Sequence, residues 1–135
     1  MTEPTPVLLE PAIAAGVGLD PISDWPEEVL ISGAQPTRVK SWFEGQITAQ
    51  VIDIPDGALR FKNTDFDEVC VILNGSVTLA NSQATHIFQT GDCYVIPKGF
   101  DGTFSTSGGY RAMTVMSTDA LKQLMDDWKI EVGGT

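Results

Sequence analysis

The chain has 135 residues, 42% of them hydrophobic and 19% charged, which suffices for one domain with one core. Eight Lys and Arg residues against eighteen Asp and Glu residues leave a formal net charge of −10, which argues against nucleic acids and anionic membranes as partners. No apolar run approaches the length of a membrane span and no basic leader opens the chain, so we expect a cytoplasmic protein.

Residues 1–28 are the predicted N-terminal arm. The first thirty residues contain six acids, no Lys or Arg, and five of the eight prolines, a composition that disfavours a long helix or a central strand. Apolar patches at residues 7–9 and 12–15 leave two interpretations open. Either the arm packs on a barrel, its own or a neighbour's, or it is a partly disordered leader.

Residues 29–117 alternate short β-prone runs with turn-forming residues, a pattern that predicts an all-β sandwich or barrel. The clearest unit is a predicted hairpin, in which Asn74 and Gly75 form a type I′ turn between strands at residues 68–73 and 76–80. The other predicted strands cover residues 47–54, 58–62, 85–88, 93–96, 103–106 and 110–116.

Residues 118–130 change to a helical period. Thr118 is the predicted N-cap, Asp119 lies in the first turn, and four apolar residues follow at helical spacing: Leu121, Leu124, Met125 and Trp128. The pattern predicts one amphipathic helix that packs on the barrel. Core packing is the preferred interpretation of its apolar stripe, and ligand binding is the alternative.

Two stretches of the predicted barrel resemble the paired motifs of the cupin superfamily. Gly91, Pro97 and Gly99 match the second motif, and Glu68, followed after six residues by Gly75, matches the latter half of the first. Over residues 29–117 the chain is similar to the subfamily that contains (S)-ureidoglycine aminohydrolase and the ethanolamine-utilisation cupin. The resemblance implies an all-β, single-domain cupin (RmlC-like) fold. This is a double-stranded β-helix or jelly-roll barrel with a short C-terminal α-helix and an irregular N-terminal arm.

The metal-ligand positions of that family are almost all substituted here. By the resemblance, the family's histidines would fall on other residue types: Lys62 and Thr64, or Phe61 and Asn63, and Gly102. Glu68 alone keeps a ligand side chain, and one carboxylate cannot hold a transition metal, so we expect no metal cofactor. The alternative is a divalent ion such as manganese or nickel, held by Glu68 with substitute ligands from Asn63, Asp65, Asp67 and His86.

Glu68 and Lys62 are the predicted catalytic residues. A carboxyl group near an apolar barrel mouth is suited to proton transfer near neutral pH, and Lys62 is its nearest candidate partner. A structural role for Glu68, in which it holds the motif in place, stays open as the alternative. His86 is interpreted as a structural residue. The predicted substrate-binding residues at the same mouth are Thr64, Cys70, Tyr94, Phe100 and Phe104.

Three functions stay open at this point. The first is a metal-independent pocket for a small polar metabolite, with a lyase, isomerase or hydrolase step if the protein is an enzyme. The second is a metal-dependent enzyme similar to ureidoglycine aminohydrolase. The third is a non-catalytic, dimeric structural or regulatory module whose pocket is filled by its own side chains.

Alternation along residues 68–73 predicts that Cys70 and Ile72 face inward with Glu68. The intervening residues then form an apolar stripe on the outer face: Val69, Val71 and Leu73. Exposed stripes of this kind are usually covered. The stripe predicts a homodimer formed through this face with help from the N-terminal arm; the alternative is cover by the chain's own C-terminal helix.

Overall fold

The computed structural model describes residues 4–62 and 66–133 as a curled antiparallel sheet with two short helices. The strands are β1 Asp20–Pro21, β2 Leu30–Gly33, β3 Arg38–Glu44, β4 Ile47–Ile54, β5 Gly57–Lys62, β6 Glu68–Ala80, β7 Thr85–Gln89, β8 Cys93–Ile96 and β9 Asp101–Ser117. The helices are α1 Pro11–Ala14 and α2 Thr118–Asp127. Within the described ranges, no helix is both long and apolar enough to span a membrane.

The two longest strands, β6 and β9, pair with each other and form the spine of the sheet. The first part of β6 also pairs with β8 and its last part with β7, while the first part of β9 pairs with β5 and its last part with β4. Strands β3 and β1 extend the sheet beyond β4, and β2 extends it beyond β5. The sheet therefore curls into the expected cupin-type barrel, which confirms the predicted fold class.

The predicted hairpin at Asn74 and Gly75 is wrong, because residues 68–80 form one strand that bends instead of reversing. Gly75 does have a positive φ of 76°, but the pairing register with β9 shifts on both sides of Asn74, which marks a bulge. The side-chain amide of Asn74 donates to the carbonyls of Gly108 (3.2 Å) and Gly109 (2.8 Å). Gly108 and Gly109, which lie between the predicted strands at residues 103–106 and 110–116, are thus the matching irregularity inside the single strand β9.

Inward-facing side chains fill the closed part of the barrel. Tyr94 and Tyr110 meet at its centre through their hydroxyl groups, 2.6 Å apart. Buried aliphatic and aromatic residues surround this pair: Val29, Ala34, Ile54, Leu59, Cys70, Ile72, Val77, Leu79, Ile96, Phe104 and Ala112. The inward positions of Cys70 and Ile72 agree with the predicted alternation.

The N-terminal arm packs on its own barrel. Pro6 and Val7 line a depression on the outer face of the sheet together with Met113, and the guanidinium group of Arg111 donates to the carbonyl of Ala14 at 3.5 Å. Farther along, β1 pairs with β3. Parts of the arm therefore contact the chain's own barrel, while Leu8 and Val17 are exposed.

Helix α2 is anchored at both ends. Its N-cap is Ser117 and not Thr118 as predicted, since the Ser117 hydroxyl accepts the N–H of Ala120 at 3.3 Å. Thr118 instead hydrogen-bonds to Thr48 of β4, with 2.7 Å between the hydroxyl oxygens.

The segment after α2 pairs with the segment that leads into the barrel. The Ser23 N–H donates to the carbonyl of Glu131 at 2.8 Å, and Ile22 bridges to Val132. Helix α2 is therefore held across one end of the barrel as a cover.

Candidate functional site

A cavity of about 450 Å³ lies between α2 and the inner face of the sheet at β3, β4 and the end of β9. The apolar stripe of α2 lines it from one side: Leu121, Leu124, Met125 and Trp128. Ile22 and Trp25, from the segment before β2, close another side. The stripe that was assigned to core packing therefore lines a cavity.

Glu68 contributes a carboxyl group to this cavity. It is the first residue of β6, where it pairs with Ile96 of β8, and its partly buried side chain is among the lining residues. Burial raises the pKa of Glu68 from 4.5 to about 7 because it removes the charged form from water. Among the described residues, none donates a hydrogen bond to this carboxyl group. The site thus holds an acid that can be neutral or charged near pH 7.

Two further polar residues reach the cavity from β4. Side chains alternate between the two faces of a strand, and Ala49 faces the outer surface, so Thr48 and Gln50 on either side of it point inward. Both are at least nine-tenths buried. Gln50 pairs in register with Thr114 of β9, whose buried hydroxyl has no hydrogen-bond partner within the described residues. Most of the cavity's walls are therefore apolar, and Glu68, Gln50 and Thr48 are among its polar lining residues.

The predicted partner of Glu68 lies elsewhere. Lys62 is exposed at the end of β5, where it pairs with Asp101, and it is not among the residues that line the cavity. Phe61 next to it does line the cavity, so strand alternation turns Lys62 away. The structure does not bring the two predicted catalytic residues together in this cavity.

The predicted substrate-binding residues are placed below or beside the cavity. Cys70 and Tyr94 are buried beneath Glu68, and burial raises the pKa of both. Phe104 is a core residue packed on Tyr110, and Phe100 is half-buried with its ring 6.4 Å from that of Phe61. None of these four lines the cavity. Thr64 lies outside the described residues.

Among the residues that the structure describes, the side chains around Glu68 do not form a metal-ligand set of the cupin kind. Within residues 4–62 and 66–133, no three His, Cys, Asp or Glu side chains lie close enough together to hold an ion. Asp67 accepts the Lys98 N–H at 2.8 Å, and exposed His86 stacks on Phe88. A Cβ at Gly102, where the family's last histidine would fall, would collide with the backbone oxygen of Ala80.

The remaining substitute ligands, Asn63 and Asp65, lie outside the described residues. Within the described part of the chain, Glu68 belongs to no group of three such ligands, and the residues present do not fit a resident metal.

Several residues that line the cavity were not predicted from the sequence. Gln50 and Thr48 lie in a strand whose bounds were predicted. Knowing which alternate side chains of that strand face inward would have identified both as lining residues. Trp128 was predicted to pack in the core, and no role was predicted for Trp25. The sequence around each residue does not reveal that its side chain borders a cavity.

The family model of the EutQ-like cupin domain matches residues 42–111, about half of the chain. A structure assigned to ethanolamine utilisation protein Q (EutQ) of Salmonella typhimurium LT2 has a TM-score of 0.55 at 21% identity, over 65% of this chain and 76% of that one. The EutQ structure of Clostridium difficile has a TM-score of 0.55 at 16% identity, over 70% and 80% of the two chains.

A DUF861-family protein of Pseudomonas syringae pv. tomato reaches a TM-score of 0.65 at 19% identity, over 75% of this chain and 45% of its own. At these identities the three likenesses show the fold alone. No curated protein matches the chain. The match to the family model, together with the barrel described above, shows that the chain belongs to the EutQ-like cupin family.

Proposed function

We propose that this cupin binds a small molecule in the cavity under α2, without a resident metal. The observation that carries the proposal is the cavity itself, about 450 Å³ in volume, with mainly apolar walls and a few polar groups. Ligand sites are commonly of this size and composition, with a few polar groups that orient the bound molecule. The proposed ligand therefore has an apolar body and a polar group, whereas the sequence led to the expectation of a small polar metabolite.

Chemistry in this cavity would depend on Glu68. Its pKa of about 7 allows it to give or accept a proton near neutral pH, as a lyase, isomerase or hydrolase step requires. Lys62 is too exposed to share that role from its place on β5. We therefore propose binding as the function of the cavity, with Glu68 as the partly buried group that would support a reaction there.

The proposal is tested by thermal unfolding of the purified protein against two sets of compounds. One set has apolar bodies with one polar group, and the other contains sugars, ureido acids and divalent ions. We expect the first set to raise the melting temperature and the second to leave it unchanged, because binding to the folded state alone stabilises it. Elemental analysis of the same protein should find no stoichiometric metal. A stoichiometric metal, or stabilisation by manganese or nickel alone, would contradict the proposal.

We propose in addition that the protein is a homodimer, formed through the outer face of the sheet. One row of this face runs through paired residues of four neighbouring strands: Ala49, Val115, Val69 and Val95. Exposure rises along the row from Ala49 (4%) to Val69 (37%) and Val95 (53%). The N-terminal arm covers the first end, since Val7 lines a depression there with Ala49.

The other end of the row is open to a second copy. Because α2 lines the cavity on the inner side of the sheet, we propose a second copy, and not this helix, as the cover of the outer face. An isologous contact needs one such self-complementary surface on each chain.

The expected location remains the cytoplasm, since the free thiols of Cys70 and Cys93 suit a reducing compartment.

A further inference from the structure

We propose that the cavity takes a small organic cation, an amine whose apolar body lies against aromatic side chains and whose ammonium group meets the carboxyl group of Glu68. This inference rests on the proposed function, since it names the ligand class of the same cavity.

The first argument is the isolation of the Glu68 carboxyl group. It lines the cavity and has no hydrogen-bond donor or ion-pair partner among the residues that the structure describes. A carboxyl group withdrawn from water without a partner costs free energy in its charged form. A ligand that brings a positive charge and N–H donors removes that cost. An amine does both with one group.

The second argument is the aromatic lining. Four aromatic residues border the cavity: Trp25, Phe61, Phe66 and Trp128. The ring of Trp128 lies 5.9 Å from Trp25 and 6.3 Å from Phe61, edge-on to both. The indole N–H of Trp25 donates to the Thr37 hydroxyl at 2.9 Å, which fixes that ring in place. Because aromatic faces attract positive charge, a lining with four aromatic rings suits a cation as well as an apolar chain.

The third argument is the charge of the surroundings. Among the residues that the structure describes, the other charged lining residues are two acids and two lysines, all exposed at the rim: Asp20, Glu44, Lys40 and Lys122. Their charges sum to zero and lie in contact with water, so they favour neither sign of ligand. Beneath Glu68, burial raises the pKa of the Cys70 thiol and of the Tyr110 hydroxyl, so both are neutral at pH 7. Glu68 therefore decides which charge the cavity prefers.

Three probes with one shared body test the inference by titration calorimetry: 2-phenylethylamine, 2-phenylethanol and phenylacetate. At pH 8 we expect the amine to bind at least about tenfold more tightly than the alcohol, and phenylacetate to bind least tightly. Between pH 8 and pH 6 the amine affinity should fall about tenfold. The alkylammonium ion stays charged in this range, while Glu68 becomes protonated below its pKa of about 7. Hexylamine and 1-hexanol repeat the comparison with an aliphatic body.

A matched pair of variants assigns the effect to one side chain. Glu68→Gln keeps the size of the side chain and removes its charge, so the amine should lose both its advantage over the alcohol and its pH dependence. Asp101→Asn makes the same chemical change at an exposed site away from the cavity and should leave both unchanged. Circular dichroism and thermal unfolding of each variant show that it is folded.

The outcomes separate the inference from the proposed function. Equal binding of amine and alcohol, tighter binding of phenylacetate, or an amine preference that survives Glu68→Gln would overturn the inference and leave the binding function standing. If none of the five probes binds, both are overturned.

Discussion

At the scale of single residues, the protonation of Glu68 makes the stability of the folded protein depend on pH. Its carboxyl group has a pKa of about 7 in the folded protein against an ordinary value of 4.5, because burial disfavours the charged form. Between these two values the folded state binds more protons than the unfolded state, so stability falls as pH rises from about 4.5 to 7. The loss is complete above the folded pKa.

The substitution Glu68→Gln should remove this dependence. We expect it to raise the free energy of unfolding at pH 8 by roughly 1–3 kcal/mol and to leave it nearly unchanged at pH 5, since one pKa unit corresponds to about 1.4 kcal/mol. Urea unfolding at pH 5, 6, 7 and 8 measures the effect, and Asp101→Asn is the exposed control. Parallel pH profiles of the wild type and Glu68→Gln would show that Glu68 is not buried as described.

Gly102 is a second residue whose neighbours decide what can stand there. A Cβ at this position would collide with the backbone oxygen of Ala80 and would lie 2.9 Å from the ring of Phe100. The oxygen of Ala80 belongs to the backbone of the paired strand β6, so it cannot move aside as a flexible side chain would. Gly102→Ala should therefore lower the free energy of unfolding by about 1–3 kcal/mol. Gly45→Ala is the control, since its Cβ would meet the movable ring of Phe43.

Urea unfolding compares the two glycine variants. Equal stability of Gly102→Ala and the wild type would contradict this close approach. The close approach also explains why the family's histidine cannot simply be restored here: the larger side chain would need the same space.

At the scale of elements, α2 converts the open end of the barrel into a cavity. Leu124 lines that cavity, whereas Gln123 on the exposed side of the helix does not. Leu124→Trp should fill part of the empty space, change the free energy of unfolding by less than about 1 kcal/mol, and weaken binding of 2-phenylethanol at least about tenfold. Gln123→Trp places the same ring in solvent and should leave binding unchanged. Undiminished binding to Leu124→Trp would show that the ligand sits elsewhere.

Strand bounds were predictable where a run of β-prone residues ends at a turn that reverses the chain. Residues 47–54 and 93–96 were predicted with the bounds that β4 and β8 have. The bend at Gly75 was not predictable, because a positive φ occurs both in a tight turn and in a bulge. Pairing with β9, distant in the sequence, decides between them. Strands β2 and β3 were missed because they carry few of the alternating residues that mark a strand.

At the scale of the whole molecule, the motifs located the barrel and the acid at its mouth but not the other walls of the cavity. Glu68 was found because it belongs to a motif, and it lines the cavity. Trp25, Gln50 and Trp128 come from three separated parts of the chain. Their convergence follows from the curl of the sheet and the anchoring of α2, which no local pattern encodes.

The proposed homodimer is a property of the whole molecule, and its test uses the open end of the outer face. Val69→Lys with Val95→Lys places two charges on adjacent paired strands, where both side chains are already exposed. We expect the wild type to sediment as a dimer and the double variant as a folded monomer, because burying two unpaired lysines in an apolar contact is costly. Ile87→Lys changes a residue that is 64% exposed on β7, away from this row, and should leave the dimer intact. A wild-type protein that sediments as a monomer over a wide concentration range would contradict the proposal, and so would a double variant that remains dimeric.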